Sequence, residues 1–78
     1  MHNGVQVREA SGVVLIYGIS LQASALHLCR LFQGRSVTAS IGMLPGVRGY
    51  QVVVHDLSVQ SVVEVLAEFG VKAEADSQ

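Results

Sequence analysis

The sequence predicts a single α+β domain in which one antiparallel sheet carries two helices on one face. Three observations support this prediction. The chain has 78 residues, which is the length of one domain. Half of the residues are hydrophobic and 14% are charged, which is enough apolar material for a core. Short apolar runs with strand character alternate with two longer segments of helical periodicity. We expect residues 1–4 and 76–78 to fray.

The first strand is predicted at GVVLIYG, a continuous apolar run rich in β-branched residues between Gly12 and Gly18. Such a run is typical of a buried central strand. The preceding segment VQVRE alternates apolar and polar residues, with Val5 and Val7 on one face. It extends the first strand, pairs with it through the turn at residues 10–12, or swaps to a neighbouring chain, and the sequence leaves these alternatives open.

A helix is predicted over residues 21–33, with Ser20 as its N-cap and Gly34 as its C-cap. Its buried stripe follows helical spacing and is expected to consist of Leu21, Ala25, Leu28, Cys29 and Phe32. Leu26 lies on the polar side of this helix, away from the stripe.

The second half of the chain predicts two strands, a helix and a last strand. RSVTASIGM alternates with a period of two, and YQVVVHD has an apolar centre at residues 52–54. Between them Pro45 and Gly46 predict a type II turn, because proline presets φ at the first corner and glycine accepts positive φ at the second. A helix over residues 59–69 is capped by Asp56 or Ser58 and ended by Gly70, and VKAEA forms a short final strand. The expected buried stripe of this helix is Val59, Val62, Val63, Leu66 and Phe69.

The resulting order, βαββαβ, is that of a ferredoxin-like α/β plait, built from two right-handed crossovers and one hairpin. Because both helices cover one face, the other face is open to water or to a partner sheet. Two registers of the YQVVVHD strand remain open, so the residues on that face are either Gln51, Val53 and His55 or Tyr50, Val52 and Val54. Either set includes valine, which favours a homo-oligomer, most simply a dimer, through the sheet. The candidate interface residues are Leu26, Tyr50, Val52, Val53 and Val54.

Composition argues against several functional classes. The five basic residues are scattered and the only aromatic residues are two tyrosines and two phenylalanines, so the chain lacks the basic track and stacking platform of a nucleic-acid binder. A single cysteine, Cys29, excludes an internal disulfide and a thiolate-rich metal site. Neither a catalytic constellation nor a metal or cofactor motif stands out, so we expect no cofactor and no enzymatic activity. The N-terminus is unlike a signal peptide and the longest apolar run is too short to span a bilayer, which predicts a cytoplasmic protein without membrane contact.

The candidate ligand-binding residues are Gly18, Ile19 and Ser20, where the first strand leads into the first helix. Free backbone amides and the positive end of the helix dipole at such a turn attract a carboxylate or a phosphate. Arg48, flanked by glycines in the hairpin loop, is a second candidate anion contact. The simpler interpretations are an ordinary glycine turn with a serine cap and a solvated hairpin tip.

The segments YGIS and DLSVQSVVEVLAEFG, in this strand–helix order, resemble ACT-type regulatory domains over roughly residues 13–75. The resemblance implies that a small ligand, often an amino acid, binds at the first strand-to-helix turn in an interface between two copies. Here it points to Gly18, Ile19 and Ser20. The short, glycine-rich hairpin departs from the pattern of that family.

Two hypotheses about function follow from the sequence. In the first, the chain is a non-enzymatic interaction module, an adaptor or inhibitor, that docks a protein partner through its open sheet face or through the side that carries Leu26. In the second, it is a regulatory module that dimerises and binds a small anionic metabolite at the Gly18–Ser20 segment. Small size and the surplus of apolar residues favour the first hypothesis.

Overall fold

The computed structural model describes residues 4–42 and 49–75, and these residues form two layers, a sheet and a pair of helices. The elements along the chain are β1 (Val5–Ala10), β2 (Val13–Ile19), α1 (Gln22–Gln33), β3 (Ala39–Gly42), β4 (Tyr50–Val54), α2 (Val59–Glu68) and β5 (Ala73–Ala75). The strands make one mixed sheet in the order β3-β4-β2-β1-β5. β5 runs parallel to β1, and all other neighbouring strands are antiparallel.

β1 is the strand that the predicted plait does not contain. It forms a hairpin with β2, in which Ala10 lies opposite Val13, so pairing through the turn is the correct alternative. Ser11 and Gly12 both have positive φ, 53° and 84°, as in the two-residue type I′ turn whose twist matches a hairpin. A two-residue connection closes at small entropic cost, so β1 occupies the edge of β2 where a plait places its last strand. The predicted antiparallel order is therefore wrong: β5 pairs with β1, and the sheet is mixed.

Both helices cover the same face of the sheet. α1 packs on β2, β3 and β4, and α2 packs on β1 and β5. The strand register places Val7, Ile16 and Val52 side by side beneath this layer, and all three are fully buried. The remaining core residues are Val5, Val14, Ile19, Ala25, Leu28, Cys29, Phe32, Ala39, Val54, Val62 and Leu66.

Gly18 creates a bulge near the end of β2. The register with β4 shifts between Ile16, which lies opposite Val52, and Ile19, which lies opposite Tyr50. Gly18 has a φ of 85° within this shift, a conformation that glycine adopts without the steric cost of a Cβ. The extra residue turns Ile19 back toward the helices, so Ile16 and Ile19 are both buried although they are three positions apart.

The two helices begin differently. Ser58 is the N-cap of α2, and its Oγ accepts a hydrogen bond of 3.1 Å from the N–H of Ser61, which decides between Ser58 and Asp56. The N-cap of α1 is Leu21, which has no capping side chain. The prediction of Ser20 as the cap is therefore wrong by one residue. Leu21 is also 64% exposed instead of belonging to the buried stripe.

The two helices end in the same way. After α2, the N–H groups of Gly70 and Val71 donate to carbonyls of the last turn, and Gly70 has a φ of 78°. This is the Schellman arrangement, in which glycine is favoured at the left-handed position. After α1, Ser36 and Val37 repeat these hydrogen bonds, and Ser36 has a φ of 63°. Gly34 is the C-cap of α1 as predicted, but its φ is −65°, so Ser36 is the residue that adopts the left-handed conformation.

The connection after α1 contacts the end of α2. Arg35 forms an ion pair with Glu68, and its guanidinium lies 5.3 Å from the centroid of the Phe69 ring. The prediction of Phe69 in the buried stripe is wrong, because this side chain is 41% exposed and packs under Arg35. An exposed ion pair contributes little to stability, so this contact mainly orients the two helix ends.

Candidate functional site

Neither helix covers the second face of the sheet. On this face the register aligns Arg8 on β1, Leu15 on β2, Val53 on β4 and Ser40 on β3. Strand alternation places Val13 and Tyr17 of β2 on the same face as Leu15. We call Val13, Leu15, Tyr17 and Val53 the apolar strip. All four are partly exposed, and polar residues border the strip on both sides, with Gln6, Arg8 and Glu74 toward β5 and Ser40 on β3.

The structure decides the register that the sequence left open for β4. Val53 lies on the open face, whereas Val52 and Val54 have no exposed surface and pack under α1. Tyr50 is half-buried against the core cluster, on the side of Val52. The covered face therefore holds Tyr50, Val52 and Val54, which corrects their prediction as residues of an interface through the open face. Gln51 shares the side of Val53, but it is 1% exposed, and its Nε2 donates to the carbonyl of Gly49.

A cleft lies at the end of the sheet where β2 leads into α1. It has a volume of about 540 Å³ and lies between the first turns of α1, the start of β1 and the connection from α2 to β5. Its lining residues are Gly4, Val5, Gly18, Ile19, Ser20, Ala23, Ser24, His27, Leu28 and Val71. The structure therefore brings the three predicted ligand-binding residues, Gly18, Ile19 and Ser20, to one side of a single cleft.

The cleft combines an apolar interior with a polar rim. Its most buried lining residues are Val5, Ile19 and Leu28. Ser24 and His27 are exposed and lie three positions apart on α1, so they share one face of that helix. This arrangement fits a small molecule with an apolar body and a polar or anionic head group.

Gly49 allows the start of β4 to approach the end of β2 closely. Its φ is 82°, and a Cβ at this position would collide with the carbonyl oxygen of Ile19. No other residue type fits this close backbone approach without moving β2.

The predicted hairpin loop lies outside the described residues, which include none of Pro45, Gly46 and Arg48. The role of Arg48 as an anion contact and the type II turn therefore stay predictions.

Cys29 belongs to the core of the covered face. Its Sγ donates to the carbonyl oxygen of Ala39 over 3.3 Å and accepts from Nε2 of Gln33 over 3.4 Å. Burial raises the pKa of the Cys29 thiol, and the nearby charge of Arg30 opposes this effect only in part. A buried thiol with a raised pKa is a poor nucleophile and a poor metal ligand.

Within residues 4–42 and 49–75, no three side chains of His, Cys, Asp or Glu come together as a metal site would require. The helices of this same part of the chain are all too short or too polar to cross a membrane.

Comparison of the chain with protein-family models, with curated proteins and with solved structures finds no match. The resemblance to ACT-type domains therefore stays a prediction.

Sequence reasoning missed most residues of each surface. On the open face it considered β4 and passed over Leu15, because GVVLIYG is apolar at every position and its two faces look alike. In the cleft it identified the Gly18–Ser20 segment but not Ser24, His27 or Val71. The i, i+3 spacing of Ser24 and His27 was an available signal, whereas the approach of Val71 depends on tertiary packing.

Proposed function

We propose that this chain is a small non-enzymatic interaction module, an adaptor or inhibitor, that works as a homodimer formed through the open face of its sheet. The observation that carries the proposal is the apolar strip of Val13, Leu15, Tyr17 and Val53, which neither helix covers. An apolar centre with a polar border is the arrangement typical of protein interfaces.

Burial energetics support association through this face. A domain of this size buries only about 60% of the surface of its unfolded chain and is marginally stable alone. Transfer of a valine or leucine side chain from water to a packed interior contributes about 1.5–3 kcal/mol. A second sheet packed on the strip would complete a four-layer helix–sheet–sheet–helix arrangement, with the sheets about 10 Å apart.

The test is the solution mass of matched leucine variants, measured by sedimentation velocity over a range of concentrations. Leu15→Glu places a charge in the centre of the strip, and Arg8 on the neighbouring strand can pair with it in the monomer. We expect this variant to weaken self-association about 30-fold or more, as for a central interface residue. Leu21→Glu, at an exposed leucine outside the strip, should leave association unchanged.

Leu26→Glu separates the two docking surfaces that the sequence suggested. Leu26 is 41% exposed on α1, as expected for its polar-side position. Loss of association in Leu26→Glu but not in Leu15→Glu would move the interface to the helix layer. A wild-type chain that remains monomeric at all concentrations would contradict the proposal.

A second candidate function is the binding of a small anionic metabolite, and the cleft between β2 and α1 favours it. Ala23→Phe should fill this cleft, whereas Ala67→Phe adds the same ring to an exposed position of α2 outside it. Native mass spectrometry of gently purified protein should show a small adduct on the wild type and on Ala67→Phe, but not on Ala23→Phe. Bare protein in all three samples would remove this candidate.

A further inference from the structure

β3 is one of the two edges of the sheet, and its backbone alternates between β4 and the outside. The N–H of His55 donates to the carbonyl of Thr38 over 2.9 Å. This bond makes Thr38 and His55 a hydrogen-bonded pair of the antiparallel ladder. Ala39 and Val54, the next pair in the register, are therefore a non-hydrogen-bonded pair. It follows that the carbonyl of Ala39 points away from β4, toward the open edge.

Two side chains of α1 donate hydrogen bonds to this outward carbonyl. Nε2 of Gln33 donates to the oxygen of Ala39 over 3.0 Å, and Sγ of Cys29 donates to it over 3.3 Å. A strand added to β3 would place its own backbone N–H where the Gln33 amide now lies. The last turn of α1 thus supplies the hydrogen bond that an additional strand would otherwise make.

The opposite edge needs less protection. β5 has three residues, and very short edge strands are poor templates for strand addition. The edge formed by β3 differs from that formed by β5. Its outward acceptor, the carbonyl of Ala39, lies near Ile41 in a strand that is otherwise apolar on its covered side.

We propose that Gln33 is an edge guard: its side-chain amide caps the Ala39 carbonyl and prevents β3 from pairing with a strand of another copy of this chain. Cys29 is a weaker second donor, because a thiol donates poorly. Association through the β3 edge is thereby prevented, and the faces of the molecule remain available for association. The proposal does not depend on the proposed function, since it concerns a different surface.

The test compares two exposed glutamines of α1. Gln33→Met keeps the length and helix propensity of the side chain but removes the donor. Gln22→Met makes the same change at the other end of α1, away from β3. Sedimentation velocity over a concentration series should show species larger than those of the wild type for Gln33→Met, with an association constant raised about tenfold. Gln22→Met should match the wild type, and Gln33→Lys, which keeps an N–H donor, should match it closely.

A second substitution locates the new contact. The N–H of Ile41 faces the same outer edge as the Ala39 carbonyl, so Ile41→Pro removes a donor for an added strand without breaking the ladder to β4. Gln33→Met combined with Ile41→Pro should return to the wild-type distribution of masses. The proposal is overturned if Gln33→Met has the same distribution as Gln22→Met, if it associates regardless of Ile41→Pro, or if it fails to fold by circular dichroism.

Discussion

Neighbouring residues of the same strand meet opposite environments on the two faces of the sheet. Ile16 of β2 is fully buried under the helices, whereas Leu15, one residue earlier, is partly exposed in the apolar strip. Val52 and Val53 of β4 show the same contrast. The covered face holds the fold together and the open face is available for contact. The difference arises from topology, because chemically similar side chains occur on both faces.

The largest effect should come from a matched pair of truncations on β2. Ile16→Ala leaves a cavity between Val7 and Val52 and should lower the free energy of unfolding by about 3–4 kcal/mol. Leu15→Ala should cost about 1 kcal/mol at dilutions where the chain is monomeric, because its side chain is already partly in water. Urea denaturation measures both. Equal costs would show that the open face is as well covered as the other.

The next largest effect should be a difference in the rate of thiol reaction between the two faces. Cys29 is buried and its pKa is raised, so little thiolate forms at pH 8 and reagents reach it only after the protein opens. Ser40→Cys introduces a thiol at an exposed position of the open face. In that variant we expect two phases of reaction with Ellman's reagent, the slower at least about 100-fold slower than the faster. A single fast phase of two thiols would contradict the burial of Cys29.

A smaller effect should follow from exchanging a methyl group for a hydroxyl on β4. Val52→Thr buries a hydroxyl among apolar side chains and should cost about 1–2 kcal/mol of stability. Val53→Thr changes the same group on the open face and should be nearly neutral for unfolding, since threonine is favourable in strands. The midpoint of thermal unfolding, measured at low protein concentration, compares the two. A larger cost for Val53→Thr would reverse the assignment of faces.

The smallest effect should be a change in stability at the boundary between the helix layer and the sheet. Ser36 adopts a left-handed conformation where α1 turns toward β3, so Ser36→Gly should stabilise the protein by about 0.5–1 kcal/mol. Ser24→Gly, the same substitution inside α1, should instead destabilise it by about 0.5–1 kcal/mol. Chemical denaturation of both variants checks the opposite signs. Destabilisation by Ser36→Gly would contradict the left-handed conformation.

Much of the local structure could be predicted because its causes are local. A cap at Asp56 or Ser58, the end of α2 at Gly70 and the positions of the two helices each depend on residues within one or two turns, and the structure then chose Ser58. The N-terminus of α1 is the exception: Ser20 has a capping side chain, but Leu21 is the N-cap. The bulge at Gly18 sets the path of the chain at this point, and its position depends on pairing with β4.

The candidate surfaces were predictable only in part. Gly18, Ile19 and Ser20 are contiguous, so their grouping required no tertiary information. Val71 reaches the same cleft from the far end of the chain. The apolar strip joins residues of β2 and β4 that are nearly 40 positions apart, and no local pattern connects them.

The sequence by itself determined the α+β class, the two helices and the alternation of VQVRE, because these follow from residue spacing and from turn chemistry. The tertiary structure decided where β1 lies, which phase of β4 faces the helices and which partner β5 takes. The phase of β4 and the partner of β5 depend on backbone hydrogen bonds between distant segments. The short hairpin of β1 with β2 takes the pairing edge at small entropic cost, and one residue of shift in β4 would exchange its buried and open faces.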